Sequence, residues 1–175
     1  MPRNPNSAGG GSRTNQNGLH FEQTTSLNTA LLNAGFNIVD NYKVFYNKHY
    51  VGQSINKIAF SNFFLKNKKI NYLDYNSKRW DPDEAFINDL NQTVYIIEKK
   101  FQSQGGSVDE KLATFPFKIR EYEKLLHPIG YDVQYIYLLS SEWFDSQKYQ
   151  DYYDYMDSLQ CPYYFDVLPL SAIGL

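Results

Sequence analysis

Residues 80–102 read WDPDEAFINDLNQTVYIIEKKFQ, and this stretch carries the clearest information about the fold of the chain. Pro82 suits the entry to a short strand over residues 84–88. β-Branched and aromatic side chains predict a second strand over residues 93–101. Between the two, residues 89–92 supply the Asp, Asn and Gln of a turn. We therefore expect a β-hairpin here.

The hairpin predicts a cluster of two carboxylates and one ammonium group. Side chains at positions i and i+2 of a strand point to the same face, so Glu98 and Lys100 project together and Lys99 projects to the other face. Asp83 begins the preceding strand, and a turn near Asn91 brings it beside Glu98. Two carboxylates suit a hard divalent cation such as Mg²⁺, for which Mn²⁺ can substitute. Such a centre can promote phosphodiester hydrolysis, with the lysine stabilising the developing charge.

These residues resemble the PD-(D/E)XK nuclease superfamily, which includes most type II restriction endonucleases. Pro82-Asp83 and Glu98-Lys99-Lys100 match its motif, and they are the only Pro-Asp and the only Glu-x-Lys of the chain. The resemblance extends over residues 17–140. It implies an α/β fold with a restriction-endonuclease-like αβββαβ core, in which helices flank a central mixed sheet. It also implies that Asp83, Glu98 and Lys100 are catalytic and that the two acids bind the metal.

The resemblance adds two residues to the site. The first helix of the superfamily commonly bears a metal-binding glutamate, a role that falls to Glu22; the alternative is a surface charge in the first turn of a helix. A polar residue often follows the catalytic strand, and Gln102 matches it as an accessory residue, although a polar loop residue is the alternative.

Two further acids remain candidates, and one position departs from the family pattern. Glu84 takes the role of Asp83 if the strand starts one residue later, and Asp81 is a third candidate. The middle position of Glu-x-Lys is often small or apolar because it faces the core, whereas here it is Lys99. This departure raises the alternatives of a different register or an exposed sheet edge.

Hydrophobic periodicity and turn residues predict the remaining elements. In order, they are a helix over residues 19–34 that stops at Gly35, short extended segments over 36–64, a helix that opens at a capping box of Ser107 and Glu110 and breaks at Pro116, a buried strand over 131–139, a helix over 147–159 and a last strand over 163–168. The tyrosines of the helix over 147–159 are expected in the core or at a dimer interface. This order indicates an α/β architecture around a mixed sheet.

Length and charge define the expected domain and its nucleic-acid contacts. A chain of 175 residues suits one domain, so we expect a flexible arm over residues 1–17 and a single nuclease domain over 18–175. The net charge of −2 is not the overall signature of a nucleic-acid binder, but basic residues cluster over 66–79. The candidate DNA-binding residues of the arm and this cluster are Arg13, Asn15, Gln16, Asn17, Lys68, Lys69 and Arg79.

Several classes of protein do not fit the sequence. No apolar run approaches the length of a membrane span, and the N-terminus lacks the apolar core of a secretory signal. Cys161 is the single cysteine, which excludes an internal disulfide and a thiolate zinc cluster. We expect a cytoplasmic protein without a membrane partner.

The expected function follows from the resemblance. It implies a Mg²⁺-dependent endonuclease of the type II restriction class, which hydrolyses both strands of double-stranded DNA at a short specific sequence. Because a small chain has one active site, duplex cleavage indicates a homodimer. The alternatives are a repair, recombination or junction nuclease of the same fold, and a non-catalytic DNA-binding module.

Overall fold

A seven-stranded mixed sheet organises the computed structural model, which describes residues 20–21, 23–102 and 108–175. The strands lie side by side in chain order. Each pair of neighbours from the first strand to the fifth is antiparallel, whereas the fifth and sixth strands and the sixth and seventh strands pair in parallel. They are β1 (Asn37–Val39), β2 (Lys43–Tyr46), β3 (His49–Asn56), β4 (Glu84–Asn88), β5 (Thr93–Lys100), β6 (Asp132–Leu139) and β7 (Tyr163–Phe165).

Helices cover the sheet and supply its crossover. They are α1 (Leu27–Asn33), α2 (Val108–Leu112), α3 (Phe115–Leu126), α4 (Ser141–Phe144) and α5 (Gln150–Ser158), together with a π-helical segment (Phe60–Leu65). Parallel strands cannot be joined by a tight turn, and the chain between β5 and β6 accordingly contains α2 and α3.

Each face of the sheet has its own hydrophobic core, because side chains alternate along β5. Val94 and Ile96 pack with residues of α3, α5 and the π-helical segment, and we call this side the α3 face. Tyr95 and Ile97 pack with Leu27 of α1 and with residues near the C-terminus, and we call this side the α1 face. A charged residue that continues β5 is thus assigned to a face by its position in the alternation.

The predicted hairpin and the predicted α/β class with a mixed sheet are confirmed. β4 pairs with β5 in the register Glu84↔Ile97, and β5 pairs with β6 in parallel. Pro116 lies in the first turn of α3, after a break that ends α2 at Leu112. Proline is tolerated there because the first N–H groups of a helix have no intrahelical acceptor.

Three predicted boundaries need correction. In the described residues, the first predicted helix is interrupted at Ser26, whose backbone is extended, and α1 runs only from Leu27 to Asn33. The helix predicted over residues 147–159 begins at Gln150, after a 3-10 turn. The last strand ends at Phe165 because the next residue, Asp166, has a left-handed backbone with φ 56°. The stop at Gly35 is confirmed, with φ 86°.

The tyrosine-rich helix belongs to the core. Tyr153 and Met156 of α5 are buried on the α3 face, as is Tyr149 in the turn before the helix. The predicted arm over residues 1–17 and the Ser107 cap lie outside the described residues. In the part of the chain that the structure describes, no helix is both long and apolar enough to cross a membrane.

Candidate functional site

Asp83, Glu98 and Lys100 lie at the same end of the β4–β5 hairpin. Asp83 immediately precedes β4, and extending the register of Glu84↔Ile97 by one step places it opposite Glu98. Its Oδ2 accepts a hydrogen bond of 2.8 Å from the backbone N–H of Lys99. This bond attaches the Asp83 carboxylate to the neighbouring strand at the level of the Glu98–Lys100 pair.

Glu98 is the centre of an ion-pair cluster on the α3 face. Its Oε1 lies 2.6 Å from Nζ of Lys100 and 2.8 Å from Nζ of Lys118, which reaches over from α3. The side chains of Glu98, Lys100 and Lys118 retain 12%, 14% and 18% of their accessible surface, respectively. The cluster is therefore shielded but still open to a ligand.

The two lysines control the ionisation of Glu98. Burial by itself raises the pKa of Glu98, but the attraction and hydrogen bonds of Lys100 and Lys118 outweigh burial, so the pKa lies below its ordinary value. Glu98 is consequently an ionised carboxylate at neutral pH, which is the form that binds a cation.

Three buried tyrosines lie close enough to Glu98 to feel its charge. Burial, followed by the negative charge of Glu98, raises the pKa of Tyr122, Tyr135 and Tyr137 above the ordinary value for a phenol. The charges of Asp81 and Asp83 also act on Tyr122. These phenols stay protonated at neutral pH, and their burial beneath Glu98 lowers the local dielectric and strengthens its ion pairs.

Glu84 and Lys99 form a separate ion pair on the α1 face. Lys99 Nζ lies 2.9 Å from Glu84 Oε2, and the Glu84 carboxylate also accepts from the backbone N–H of Leu27 at the start of α1. Burial raises the pKa of Glu84 above its ordinary value despite the attraction of Lys99. The structure thus does not bring Glu84 together with Glu98 and Lys100, and Lys99 is buried rather than at an exposed sheet edge.

Asp81 and Gln102, the other nearby candidates, lie on either side of the site along the chain. Asp81 pairs with Arg79, whose Nε is 3.0 Å from its Oδ2, and it accepts from the backbone N–H and the hydroxyl of Ser61. These contacts fix the loop that enters β4 and give Asp81 a structural role. Gln102 is buried two residues beyond Lys100.

The predicted basic cluster divides into two locations. Lys68 donates a hydrogen bond of 3.3 Å to the hydroxyl of Tyr131. Tyr131 directly precedes β6, whose first residue, Asp132, pairs with Thr93 at the start of β5. Lys68 is therefore at the opposite end of β5 from Lys100, and the neighbouring Lys69 is exposed.

Of the predicted DNA-binding residues within the described part of the chain, which are Lys68, Lys69 and Arg79, only Arg79 lies near the site. It precedes Trp80, whose ring lies beneath Nζ of Lys78 at 4.6 Å and of Lys118 at 6.0 Å from the centroid. Sequence reasoning missed Lys118, because nothing in a helical pattern indicates that one of its lysines will meet a strand residue 20 positions earlier.

The metal ligands available in the described residues are few. No group of three or more His, Cys, Asp or Glu side chains in that part of the chain is arranged to hold a metal ion. Asp83 and Glu98 offer two carboxylates, which suffice for Mg²⁺ because this ion commonly binds through one or two carboxylates and keeps several waters. The predicted third ligand, Glu22, lies outside the described residues, as do Arg13, Asn15, Gln16 and Asn17.

Comparison with known proteins identified no relative of this chain. No family model matches the chain, and no curated protein or solved structure is significantly similar to it.

Proposed function

We propose that the protein is a Mg²⁺-dependent endonuclease that hydrolyses phosphodiester bonds of double-stranded DNA. The observation that carries this proposal is that Asp83 lies next to the Glu98–Lys100 pair in the strand register, at the same end of the sheet, with its carboxylate hydrogen-bonded to the strand that holds the pair. Two carboxylates beside an ammonium group match the needs of phosphodiester hydrolysis, in which negative charge develops on the phosphate oxygens.

The residues have distinct roles in this proposal. Asp83 and Glu98 would hold the cation through oxygen ligands. When bound, Mg²⁺ would polarise the phosphate and lower the pKa of a bound water. Lys100, fixed two residues from Glu98 in β5, would orient the attacking water or stabilise charge on the phosphate as a point charge.

The order of elements supports a restriction-endonuclease-like core. A helix, three antiparallel strands, a crossover helix and a parallel strand correspond to α1, β3–β4–β5, α3 and β6, with the additional strands β1 and β2 between α1 and β3. This succession agrees with the αβββαβ order of the PD-(D/E)XK superfamily, which the Pro82-Asp83 and Glu98-Lys99-Lys100 motifs resemble. A likeness of fold alone would not indicate activity, so the proposal rests on the site.

Within this class we propose a type II restriction role. A homodimer would place two active sites on the two strands, and its two-fold symmetry would match a palindromic recognition sequence. Incubation of unmethylated phage DNA with the protein and Mg²⁺ tests this role. Discrete fragments that disappear with EDTA are expected. Cleavage confined to a four-way junction would overturn the restriction role in favour of a junction nuclease.

One observation favours a second candidate, a non-catalytic DNA-binding module. Glu98 is already matched by Lys100 and Lys118, so the cluster can serve as a structural ion-pair network without metal. This candidate predicts DNA binding in gel shifts without any Mg²⁺-dependent cleavage. Cleavage by the wild type that is lost in Asp83→Asn would exclude it.

A further inference from the structure

Glu98 pairs with two lysine ammonium groups at a single carboxylate oxygen. Nζ of Lys100 and Nζ of Lys118 both lie within hydrogen-bond distance of Oε1, at 2.6 and 2.8 Å. Ammonium groups that converge on one atom repel each other strongly when they are shielded from water. With Asp83 nearby, the four groups carry two negative and two positive formal charges. A divalent cation added to this balanced cluster gains little from electrostatics unless one lysine withdraws.

The two lysines differ in how the fold holds them. Lys100 belongs to the same strand as Glu98, and its Nζ also lies 3.4 Å from the backbone carbonyl oxygen of Lys99. Lys118 belongs to α3, and its side chain is the more exposed of the two. It lies near the N-terminal end of that helix, where the helix dipole opposes a positive charge. Of the two lysines, Lys118 is therefore the one that can leave Glu98 at lower cost.

The surroundings of Lys118 suit an approaching polyanion. Lys78 and Lys118 both lie near the Trp80 ring, and Phe117 contacts the same ring edge-on while remaining exposed. Positive charge beside exposed aromatic surface is a common composition of nucleic-acid contact sites. Lys118 lies between this surface and Glu98, in contact with both.

We propose that Lys118 is a phosphate-binding residue that passes from Glu98 to a backbone phosphate when DNA binds, leaving Glu98 Oε1 to the divalent cation. This inference rests on the proposed nuclease function and adds a coupling to it. Without DNA, Lys118 competes with the cation for Glu98. With DNA, the phosphate takes Lys118, so DNA and Mg²⁺ each strengthen the binding of the other, as linkage requires.

Two binding measurements on Lys118→Met test the coupling without relying on cleavage. Mg²⁺ is titrated in the absence of DNA, with Trp80 fluorescence as the signal in a Trp143→Phe background. A fluorescein-labelled DNA duplex is titrated in EDTA and followed by anisotropy. We expect Mg²⁺ to bind about tenfold more tightly to the variant, since a competing cation is gone. We expect DNA to bind about tenfold more weakly, with a salt-dependence slope smaller by about 1.

Lys124→Met is the matched control for these titrations. Lys124 lies in the same helix and pairs with Glu121 at 2.5 Å, but its side chain is 46% exposed and it does not contact Glu98. Both affinities should stay at wild-type values in this variant. Lys118→Arg should restore DNA binding because it keeps the positive charge.

The opposite signs of the two effects separate this inference from a structural role. A merely structural Lys118 would leave both affinities unchanged or weaken both through local disorder, and either result would overturn the inference. If the wild type cleaves DNA with Mg²⁺ while Lys118→Met binds DNA and Mg²⁺ normally, the coupling fails and the nuclease proposal stands. If the wild type neither binds Mg²⁺ nor cleaves DNA, the proposed function fails and the coupling fails with it.

Discussion

Lys99 Nζ and Glu84 Oε2 lie 2.9 Å apart on the α1 face, opposite the face that carries Glu98 and Lys100. The side chains of Lys99 and Glu84 are only 4% and 14% exposed, so the pair is buried. Lys99 thus occupies a position typical of an apolar residue because Glu84 supplies its counter-charge. The same pair removes Glu84 from the set of residues that converge on Glu98.

Breaking this pair should destabilise the protein. Lys99→Met removes one partner and leaves the Glu84 carboxylate buried without its cation, which costs about 3 kcal/mol of unfolding free energy. Equilibrium urea denaturation measures the loss. The double variant Lys99→Met/Glu84→Gln should recover part of it, because no uncompensated charge remains.

Lys43→Met is the control for that experiment. Lys43 and Asp40 form an ion pair of 2.7 Å, but their side chains are 40% and 57% exposed. Solvent screens such pairs, so the urea midpoint of Lys43→Met should equal that of the wild type. A Lys99→Met protein as stable as Lys43→Met would show that the pair on the α1 face contributes nothing.

Asp83 and Glu84 are adjacent acids, but we expect only Asp83 to be needed for cleavage. Asp83→Asn should lower the rate of Mg²⁺-dependent DNA cleavage by about 10²-fold or more, as expected when a charge that acts in the transition state is removed. Glu84→Gln keeps an acceptor for the backbone N–H of Leu27 and should cleave at a rate within a few-fold of the wild type. Single-turnover cleavage of a plasmid measures both rates.

The reverse ranking would contradict this assignment. If Glu84→Gln lost activity while Asp83→Asn retained it, the active site would be on the α1 face and the Glu98–Lys100 pair would be structural. Circular dichroism of both variants should match the wild type, so that a loss of rate reports on the site rather than on unfolding.

The hairpin and its acids could be predicted from the sequence because the governing rules are local. Alternation along residues 93–100 places Glu98 and Lys100 on one face whatever surrounds them. The pairing of β4 with β5 needs only a short turn, and this turn fixes the position of Asp83. These features depend on residues within one hairpin.

The order within residues 36–64 could not be predicted, and the reason is physical. The strands β1 and β2 are short, and Asp40, Asn41, Asn47 and Lys48 turn the chain with positive φ angles although none of them is glycine. Whether such segments pair is decided by neighbours distant in the chain. The contact of Lys118 with Glu98 has the same origin, because it depends on how α3 packs on the sheet.

Cys161 should make stability depend on alkaline pH. Burial raises the pKa of its thiol from 9.0 to about 12. The contribution of the neutral thiol to stability is fully present below the pKa that Cys161 has in the unfolded chain. It is lost as pH rises through the pKa in the folded protein, because the thiol of the unfolded chain ionises first. Between these values the stability of the wild type should fall relative to Cys161→Ala by about 1.4 kcal/mol per pH unit.

Urea denaturation over an alkaline pH series measures that difference, and thiol labelling provides an independent check. Cys161 is 1% exposed and lies in the core on the α3 face. The native protein should therefore resist a thiol reagent at neutral pH and react once unfolded. Rapid labelling of the native protein, or parallel pH profiles for the two proteins, would contradict the assigned burial.

If Glu98 and Lys100 form a metal-dependent phosphodiesterase site, as we propose, then cleavage of DNA must depend on Lys100. Unmethylated phage DNA is incubated with the wild type, Lys100→Ala or the control Lys124→Ala, with Mg²⁺ or with EDTA. We predict that the wild type and the control cleave DNA with Mg²⁺ and that EDTA abolishes this cleavage. The cleavage rate of Lys100→Ala should be lower than that of the wild type by about 10²-fold or more. Absence of Mg²⁺-dependent cleavage by the wild type, or equal rates for the wild type and Lys100→Ala, would contradict the claim.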